Sequence, residues 1–123
     1  MPVEILLIDD DPQLRQILGD RLEACGYHVI FAANGREGIA KAEREQPEIV
    51  LLDLEMPEMN GLTVLTEIRR RNAALPVIML TAYGTAAKAR EARQCGAHDF
   101  LSKSITFSQL LLAIQDSLMS KDE

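Results

Sequence analysis

Short apolar runs alternate with longer segments of helical length along this chain. Five runs, at residues 4–8, 28–32, 49–52, 76–80 and 99–101, are predicted to be β-strands. Most of these runs are apolar at nearly every position and do not alternate between apolar and polar residues. Continuously apolar strands are typical of a parallel sheet that is covered on both faces. The pattern therefore predicts a sheet enclosed between two layers of helices.

The segments between these runs carry the end signals of helices. The predicted helices cover residues 12–25, 36–45, 62–72, 85–95 and the segment from 106 onward. In the first helix, Asp11 fits the N-cap, Pro12 the first helical position and Gly26 the end. In the last helix, Thr106 and Gln109 have the spacing of a capping box.

Apolar positions at helical spacing predict which helix faces are buried. The predicted inward positions are Leu14, Ile17, Leu18, Leu22 and Cys25 in the first helix, Leu65 and Ile68 in the third, and Phe107, Leu110, Leu111, Ile114 and Leu118 in the last. The segment 85–95 is rich in alanine and has no large aliphatic residue. Its helix propensity is high but its packing area is small, so we expect it to be the least firmly docked element. Leu112 and Met119 are predicted to be exposed on the last helix.

Strands that alternate with helices predict a single α/β domain over residues 1–123. Right-handed crossovers and short connections favour a doubly wound, flavodoxin-like sandwich of three layers. The expected order of its five strands is 2-1-3-4-5. In such sheets, ligands bind beyond the carboxyl ends of the strands, where the winding direction changes.

The net charge of −6 argues against direct binding of nucleic acid or of an anionic membrane through a basic patch. No apolar run approaches the roughly 20 residues of a membrane span, and a cytoplasmic location is expected. Cys25 and Cys95 lack the CxxC spacing of metal or dithiol sites. They are predicted to act as small apolar residues near helix ends.

Polar side chains follow four of the predicted strands. Asp9 and Asp10 follow the first strand, Asp53 the third, Thr81 the fourth and Lys103 the fifth. Parallel strands bring these ends to one edge of the sheet, so the carboxylates are expected to cluster there. Clustered carboxylates raise one another's pKa unless a cation neutralises them. Hard oxygen ligands favour Mg²⁺, with Mn²⁺ as the alternative, over zinc.

The same edge has the groups that a phosphoryl group requires. Lys103 offers a positive charge and Thr81 a hydroxyl donor, while a carboxylate can itself become an acyl phosphate. Asp53 suits that role because it follows the strand expected in the middle of the sheet.

The chain resembles the receiver domains of two-component response regulators over essentially its whole length. The resemblance is carried by "LLIDDD", "LLDLEMPEMNG", "VIMLTAYG" and "GAHDFLSK", which include the pattern D-x-x-M-P-x-x-x-G. It implies that Asp53 accepts phosphate from a histidine kinase or a phosphotransfer protein. It also implies that Asp10 and Asp53 bind Mg²⁺ directly, Asp9 through water, and Glu55 through its backbone carbonyl.

The resemblance assigns further roles around this site. Thr81 and Lys103 would bind phosphoryl oxygens, and Phe100 would be the aromatic residue that turns inward when the threonine moves. Glu55 and Tyr83 stand where family members vary and tune the lifetime of the phosphate; Tyr83 is expected to shield it. Phosphorylation would alter the surface of the fourth helix, fifth strand and last helix, which would contact a downstream protein, a missing output domain or a second copy.

One residue departs from the family pattern. Ser104 follows Lys103, where the family usually has a proline that is commonly joined through a cis peptide. A cis bond before a residue other than proline costs roughly 2.5–4 kcal/mol. We therefore expect either a trans bond with a shifted loop or a strained cis bond, and either could displace Lys103.

The leading prediction is a phosphorelay module that catalyses only its own phosphorylation and dephosphorylation. A receiver-like binding module that works without phosphorylation is an alternative that Ser104 favours. A haloacid-dehalogenase-like phosphatase is a weaker one, because Asp9 and Asp11 form only a bare D-x-D. A flavodoxin-like redox protein is disfavoured, since the first strand lacks a following phosphate loop and the chain has no Trp.

Overall fold

A computed structural model of the chain describes residues 2–120. Five strands alternate with five helices, and the boundaries agree closely with the predicted ones. The elements are β1 Glu4–Ile8, α1 Pro12–Ala24, β2 His28–Ala32, α2 Gly35–Glu45, β3 Ile49–Asp53, α3 Gly61–Arg71, β4 Val77–Thr81, α4 Ala86–Gln94, β5 Asp99–Ser102 and α5 Phe107–Ser120. Asp53 and Thr81 are thus the last residues of their strands, whereas the sequence patterns ended each strand one residue earlier.

The strands form one parallel sheet in the order β2-β1-β3-β4-β5, which confirms the predicted topology. β3 is the central strand, and every one of its residues is buried. The crossover from β1 to β2 runs in one direction and that from β3 to β4 in the other. Because the winding direction changes between β1 and β3, Asp9 and Asp53 lie at the switch point, where such folds bind ligands.

Each face of the sheet is covered by its own apolar cluster, as continuously apolar strands require. One cluster joins alternate strand residues such as Leu6, Val50 and Met79 to the helices α2, α3 and α4. The other joins Ile5 and Leu51 to α1 and α5. Leu65 and Ile68 of α3 are buried as predicted.

The predicted apolar stripe of α1 is only partly buried. Leu18 and Leu22 face the sheet, but Ile17 is 60% exposed and Cys25 is also exposed. The reason lies at Gly19, where a Cβ atom would stand 2.6 Å from the Phe31 ring. This close approach centres the buried face of the helix on Leu18, Gly19 and Leu22, so the prediction was wrong for Ile17 and Cys25.

The helix ends are capped largely as the sequence predicts. The Asp11 carboxylate accepts hydrogen bonds from the first turn of α1, and Thr106 and Gln109 form the reciprocal capping box of α5. Cys25 and Cys95 are free thiols at the C-caps of α1 and α4.

The helices α5 and α4 differ in how deeply they pack. In α5, Leu110 and Ile114 are buried, while Phe107, Leu111 and Leu118 are partly buried against the same cluster. Leu112 and Met119 on the same helix are 65% and 72% exposed. In α4 the buried residue is Ala92. None of the helices within residues 2–120 is long and apolar enough to cross a membrane.

Candidate functional site

The carboxyl ends of β1, β3, β4 and β5 bring the predicted site residues together at one rim of the sheet. Hydrogen bonding continues just past the strands: the Asp9 amide donates to the Ala32 carbonyl at 3.1 Å, and the Lys103 amide donates to the Thr81 carbonyl at 2.8 Å. These two bonds fix the backbone on which the side chains stand. The site therefore has a rigid base, although its residues belong to four separate segments.

Three carboxylates cluster at this rim. Asp9, Asp10 and Asp53 each offer an oxygen, and these oxygens lie within 4.8 Å of one another. Asp9 and Asp53 are each only 1% exposed, whereas Asp10 is exposed. Two acids are thus held out of water beside a third that solvent can reach.

Lys103 is the cation that faces the two buried acids. Its Nζ lies 3.1 Å from Asp9 Oδ2 and 3.1 Å from Asp53 Oδ1. Backbone amides add to this: the Asp11 amide donates to Asp9 Oδ1 at 2.9 Å, and the Glu55 amide donates to Asp53 Oδ1 at 3.1 Å. The carboxylates are therefore held in fixed positions.

Burial and neighbouring charges both shift the pKa values of Asp53 and Lys103. Burial, followed by repulsion from Asp9, raises the pKa of Asp53 to about 6, although Lys103 and the Glu55 amide pull it down. Burial acts to lower the pKa of Lys103, but its contacts with Asp53 and Asp9 outweigh burial and raise it. One ammonium group is therefore insufficient to offset two buried carboxylates, and Asp53 has a residual need for positive charge.

One buried oxygen of the cluster has no hydrogen-bond partner. The nearest charge to Asp9 Oδ2 is the Lys103 ammonium 3.1 Å away, and Asp9 shares this ammonium with Asp53. Buried polar atoms are normally satisfied, so an orphan oxygen among carboxylates is the kind of atom that a cation completes. The all-oxygen donor set fits a hard divalent ion such as Mg²⁺.

Glu55 and Thr81 form a contact that no sequence pattern predicts. Glu55 Oε2 accepts the hydrogen bond of the Thr81 hydroxyl, and Glu55 Oε1 accepts one from the Ala82 amide at 2.9 Å. Thr81 is fully buried, and its Oγ1 also accepts a hydrogen bond from the Tyr83 amide at 3.1 Å. The Glu55 side chain thus spans from the end of β3 to the end of β4.

The loop after Lys103 has a trans peptide before Ser104, because residues 2–120 contain no cis peptide bond. Ser102 stabilises this loop, since its Oγ lies 2.7 Å from Ser104 Oγ and accepts from the Ser104 amide at 3.1 Å. Lys103 nevertheless reaches both buried acids. Of the two expected outcomes, the trans bond is the one found, and the lysine is not displaced from the carboxylates.

The two aromatic positions beside the site differ in exposure. Phe100 is half-buried, and its Cε1 atom would lie 3.2 Å from a Cβ atom placed on Gly84. The Tyr83 side chain is 74% exposed, so its ring does not cover Asp53 in this state. Phe100 therefore adjoins the loop that begins at Thr81, while the expected shielding role of Tyr83 stays a prediction.

Arg15 and Gly61 contact the main chain of the two buried acids, Asp9 and Asp53. The guanidinium of Arg15 donates to the Asp9 carbonyl at 2.6 Å, a contact with no signal in the sequence pattern. Gly61 donates its amide to the Leu54 carbonyl at 2.9 Å, and a Cβ atom there would stand 2.6 Å from the Asp53 carbonyl oxygen. Glycine is therefore required at 61 so that α3 can begin directly against the Asp53 loop.

The sequence that forms this site matches a known protein family. The family model described as the response regulator receiver domain matches residues 5–115. The chain belongs to this family. Receiver domains are phosphoacceptor modules of two-component signal transduction, and this is the function class of the chain. They act as signalling modules that are regulated by phosphorylation.

Curated relatives agree with this family. The chain is 42% identical over 117 residues to the transcriptional regulatory protein GlrR of Escherichia coli, covering 95% of the chain and 26% of GlrR. It is 38% identical to the DNA-binding dual master transcriptional regulator RpaA of Synechocystis, covering 96% of the chain and 50% of that protein. The chain therefore spans a quarter to a half of these relatives.

Solved structures agree on the fold. A CheY-like receiver domain protein of Methanospirillum hungatei superposes with a TM-score of 0.94 at 29% identity, covering 99% of this chain and 98% of that one. The chemotaxis protein CheY4 of Vibrio cholerae gives 0.90 at 30% identity, with 95% and 99% coverage. The flavodoxin-like fold predicted from the sequence is thereby confirmed.

Proposed function

We propose that Asp53 is the phosphoacceptor of this receiver domain. The observation that carries the proposal is the position of its carboxylate, which is buried at the end of the central strand and lies 3.1 Å from the Lys103 ammonium. Asp10 is exposed, and Asp9 follows β1, whereas Asp53 ends the central strand of the sheet. Asp53 is the acid best placed to act as a nucleophile.

The proposed reaction moves one phosphoryl group. An oxygen of the ionised Asp53 carboxylate attacks the phosphorus of a phosphohistidine, the P–N bond breaks, and its electron pair leaves with the imidazole. The product is an acyl phosphate on Asp53. Lys103 would then contact a phosphoryl oxygen, and the Thr81 hydroxyl would donate to another. The chain would catalyse this transfer and the later hydrolysis on itself alone, with no independent substrate.

Asp9, Asp10 and Asp53 are the residues that would hold Mg²⁺, with Glu55 contributing its backbone carbonyl. The ion would supply positive charge beside the incoming phosphoryl oxygens. The orphan Asp9 Oδ2 and the raised pKa of Asp53 support this assignment, because both indicate unmet demand for a cation. Mn²⁺ has the same preference for oxygen ligands and is the alternative ion.

The proposed partners follow from this chemistry. A histidine kinase or a phosphotransfer protein would supply the phosphoryl group, and either would have to approach the rim where Asp10 is exposed. The response would pass through α4, β5 and α5 to an output domain or a separate target, or to a second copy of the chain. Coverage of 26% of GlrR is consistent with an output domain outside the present chain. Phe100 lies on β5 beside the Thr81 loop, as a switch residue would.

The test is intact-mass analysis after incubation with a small phosphodonor and Mg²⁺. We expect one phosphoryl adduct on the unaltered chain and none on Asp53→Asn. Asp11→Asn is the matched control, because an asparagine still caps α1 and the same charge is removed two residues from Asp9. This control should be labelled as fully as the unaltered chain.

Three results would contradict the proposal. An adduct that persists in Asp53→Asn would place the acceptor elsewhere. Continuous turnover of a phosphomonoester without a stoichiometric adduct would instead favour the phosphatase alternative. Absence of labelling in the unaltered chain, combined with full binding of a target protein, would favour a module that works without phosphorylation.

A further inference from the structure

The contact between Glu55 and Thr81 has a consequence for the resting state of the site, given the proposed phosphorylation of Asp53. The Thr81 hydroxyl and the Ala82 amide are neighbouring donors at the end of β4, and both already donate to one carboxylate. A carboxylate with two oxygens on two converging donors resembles the oxygens of a phosphoryl group in charge and geometry. Thr81, the proposed donor to a phosphoryl oxygen, is therefore already in use, and so is the adjacent Ala82 amide.

We propose that the Glu55 carboxylate is an internal competitor of the phosphoryl group, which must leave Thr81 and Ala82 before a phosphoryl oxygen on Asp53 can bind them. Glu55 would thus hold the resting conformation of the β4–α4 loop. The free energy of activation of the domain would then include the cost of breaking the Glu55 contacts, in addition to the binding of the phosphoryl group.

The charges around Asp53 support competition over cooperation. Lys103 contacts Asp9 and Asp53, and its contacts do not include Glu55. A phosphoryl group brings further negative charge to a rim that already has Asp9, Asp10 and Glu55. With Glu55 in its present position, like charges would meet at the same donors, which disfavours simultaneous occupancy.

The backbone allows Glu55 to leave without disturbing the acceptor. The Glu55 amide donates to Asp53 Oδ1, so the main chain is anchored to the site while the side chain extends away to β4. Rotation about side-chain bonds is therefore sufficient to release Thr81 and Ala82. Glu55 is partly exposed, and its carboxylate can move into solvent.

The first measurement examines the contact in the protein without phosphate. The Ala82 amide proton should resonate downfield in the unaltered chain, because it donates to a charged acceptor. Glu55→Gln and Glu55→Ala should move this resonance upfield. Glu58→Gln is the matched control, since it removes the same charge from an exposed residue of the same loop and should leave the Ala82 resonance in place. An Ala82 resonance that does not respond to Glu55 would overturn the proposal.

The second measurement is a titration with beryllofluoride, a phosphoryl mimic, in the presence of Mg²⁺. Loss of the competing contacts with Thr81 and Ala82 should tighten binding by about tenfold in Glu55→Ala, which equals about 1.4 kcal/mol. Glu55→Gln should also bind more tightly than the unaltered chain, because it lacks the repelling charge. Glu58→Gln should bind with unchanged affinity, and Asp53→Asn should not bind.

The outcomes separate this inference from the proposed function. Equal or weaker binding in both Glu55 variants, with binding still dependent on Asp53, would overturn the competitor role and leave the phosphoacceptor assignment intact. Failure of the unaltered chain and of every variant to bind would overturn both. Binding by the Glu55 variants alone would be the strongest form of support for the competitor role.

Discussion

The two edges of the sheet contain charged groups in opposite states of satisfaction. At the amino-terminal edge, the Arg69 guanidinium donates hydrogen bonds to the backbone carbonyls of Asn72, Ala73, Leu75 and Gly96. At the carboxyl-terminal edge, the carboxylates of Asp9, Asp10 and Asp53 cluster together, and the Lys103 ammonium contacts Asp9 and Asp53. At the amino-terminal edge the charged group is hydrogen-bonded, whereas at the carboxyl-terminal edge the negative charge exceeds the positive charge.

This difference separates a structural role from a functional one. Arg69 ties the end of α3 to the loop before β5, and a Cβ atom on Gly96 would stand 2.7 Å from Arg69 Nε. Burial lowers the pKa of Arg69, but its guanidinium donates hydrogen bonds to four backbone carbonyls. At the opposite edge the orphan Asp9 Oδ2 and the raised pKa of Asp53 are costs that a ligand can relieve. Buried charges without enough partners therefore distinguish the candidate site at Asp9 and Asp53, whereas the hydrogen-bonded charge of Arg69 has a structural role.

The largest effect on stability should follow from removing the Arg69 hydrogen bonds at the amino-terminal edge of the sheet. Arg69→Ala is expected to lower the free energy of unfolding by about 3 kcal/mol, because four backbone carbonyls, two of them in partly buried hydrogen bonds, lose a charged donor. Urea denaturation measures this loss. Arg70→Ala is the control, since Arg70 is exposed and pairs with Glu67, and it should change stability by less than about 0.5 kcal/mol. A loss of stability in Arg69→Ala no greater than in this control would show that the Arg69 hydrogen bonds contribute nothing to stability.

A smaller effect of opposite sign is expected at the rim. The pKa of Asp53 is raised to about 6 in the folded chain, above its ordinary value near 3.8. The folded state therefore binds this proton more tightly than the unfolded state, and stability falls as pH rises through that window. In metal-free buffer at pH 7, Asp53→Asn should raise the free energy of unfolding by about 2 kcal/mol. Near pH 4 or below, the gain should disappear.

Urea denaturation with a chelator at the two pH values measures this gain. Mg²⁺ sharpens the experiment, because an ion that binds only the folded state adds about 1.4 kcal/mol at roughly ten times its Kd. The unaltered chain should gain this stability at pH 7 and Asp53→Asn should gain less. A gain in Asp53→Asn that is the same at both pH values would show that packing, and not charge, causes it.

The smallest effect concerns the hydrogen exchange of α4, which runs from the rim to the amino-terminal edge of the sheet. Its buried residue is Ala92, whereas α1 buries Leu18, Gly19 and Leu22. Amides of α4 should therefore exchange with solvent faster than those of α1 under native conditions. Within α4, protection should increase toward Gly96, where Arg69 holds the following loop. Hydrogen-exchange NMR measures both differences, and equal protection in the two helices would contradict them.

Much of this protein could be predicted because its signals are local. Apolar runs identified all five strands, and cap residues such as Asp11 and Thr106 located helix ends through contacts only a few residues away. The topology then brought Asp9, Asp53, Thr81 and Lys103 to one rim, since parallel strands end on the same side. Periodicity failed at Ile17 because the contact between Gly19 and Phe31, from a different element, sets the rotation of α1.

The order of the elements, the central position of the strand that ends at Asp53 and most residues of the rim could be predicted from the chain alone. Two features required the folded molecule: the trans peptide before Ser104 that still lets Lys103 reach Asp9 and Asp53, and the contact of Glu55 with Thr81 across 26 residues of chain. They differ from the predictable features in the separation of the interacting groups along the chain. Helices and strands follow from the chemistry of near neighbours, whereas side-chain pairing between strand ends depends on register and loop paths that only the folded molecule sets.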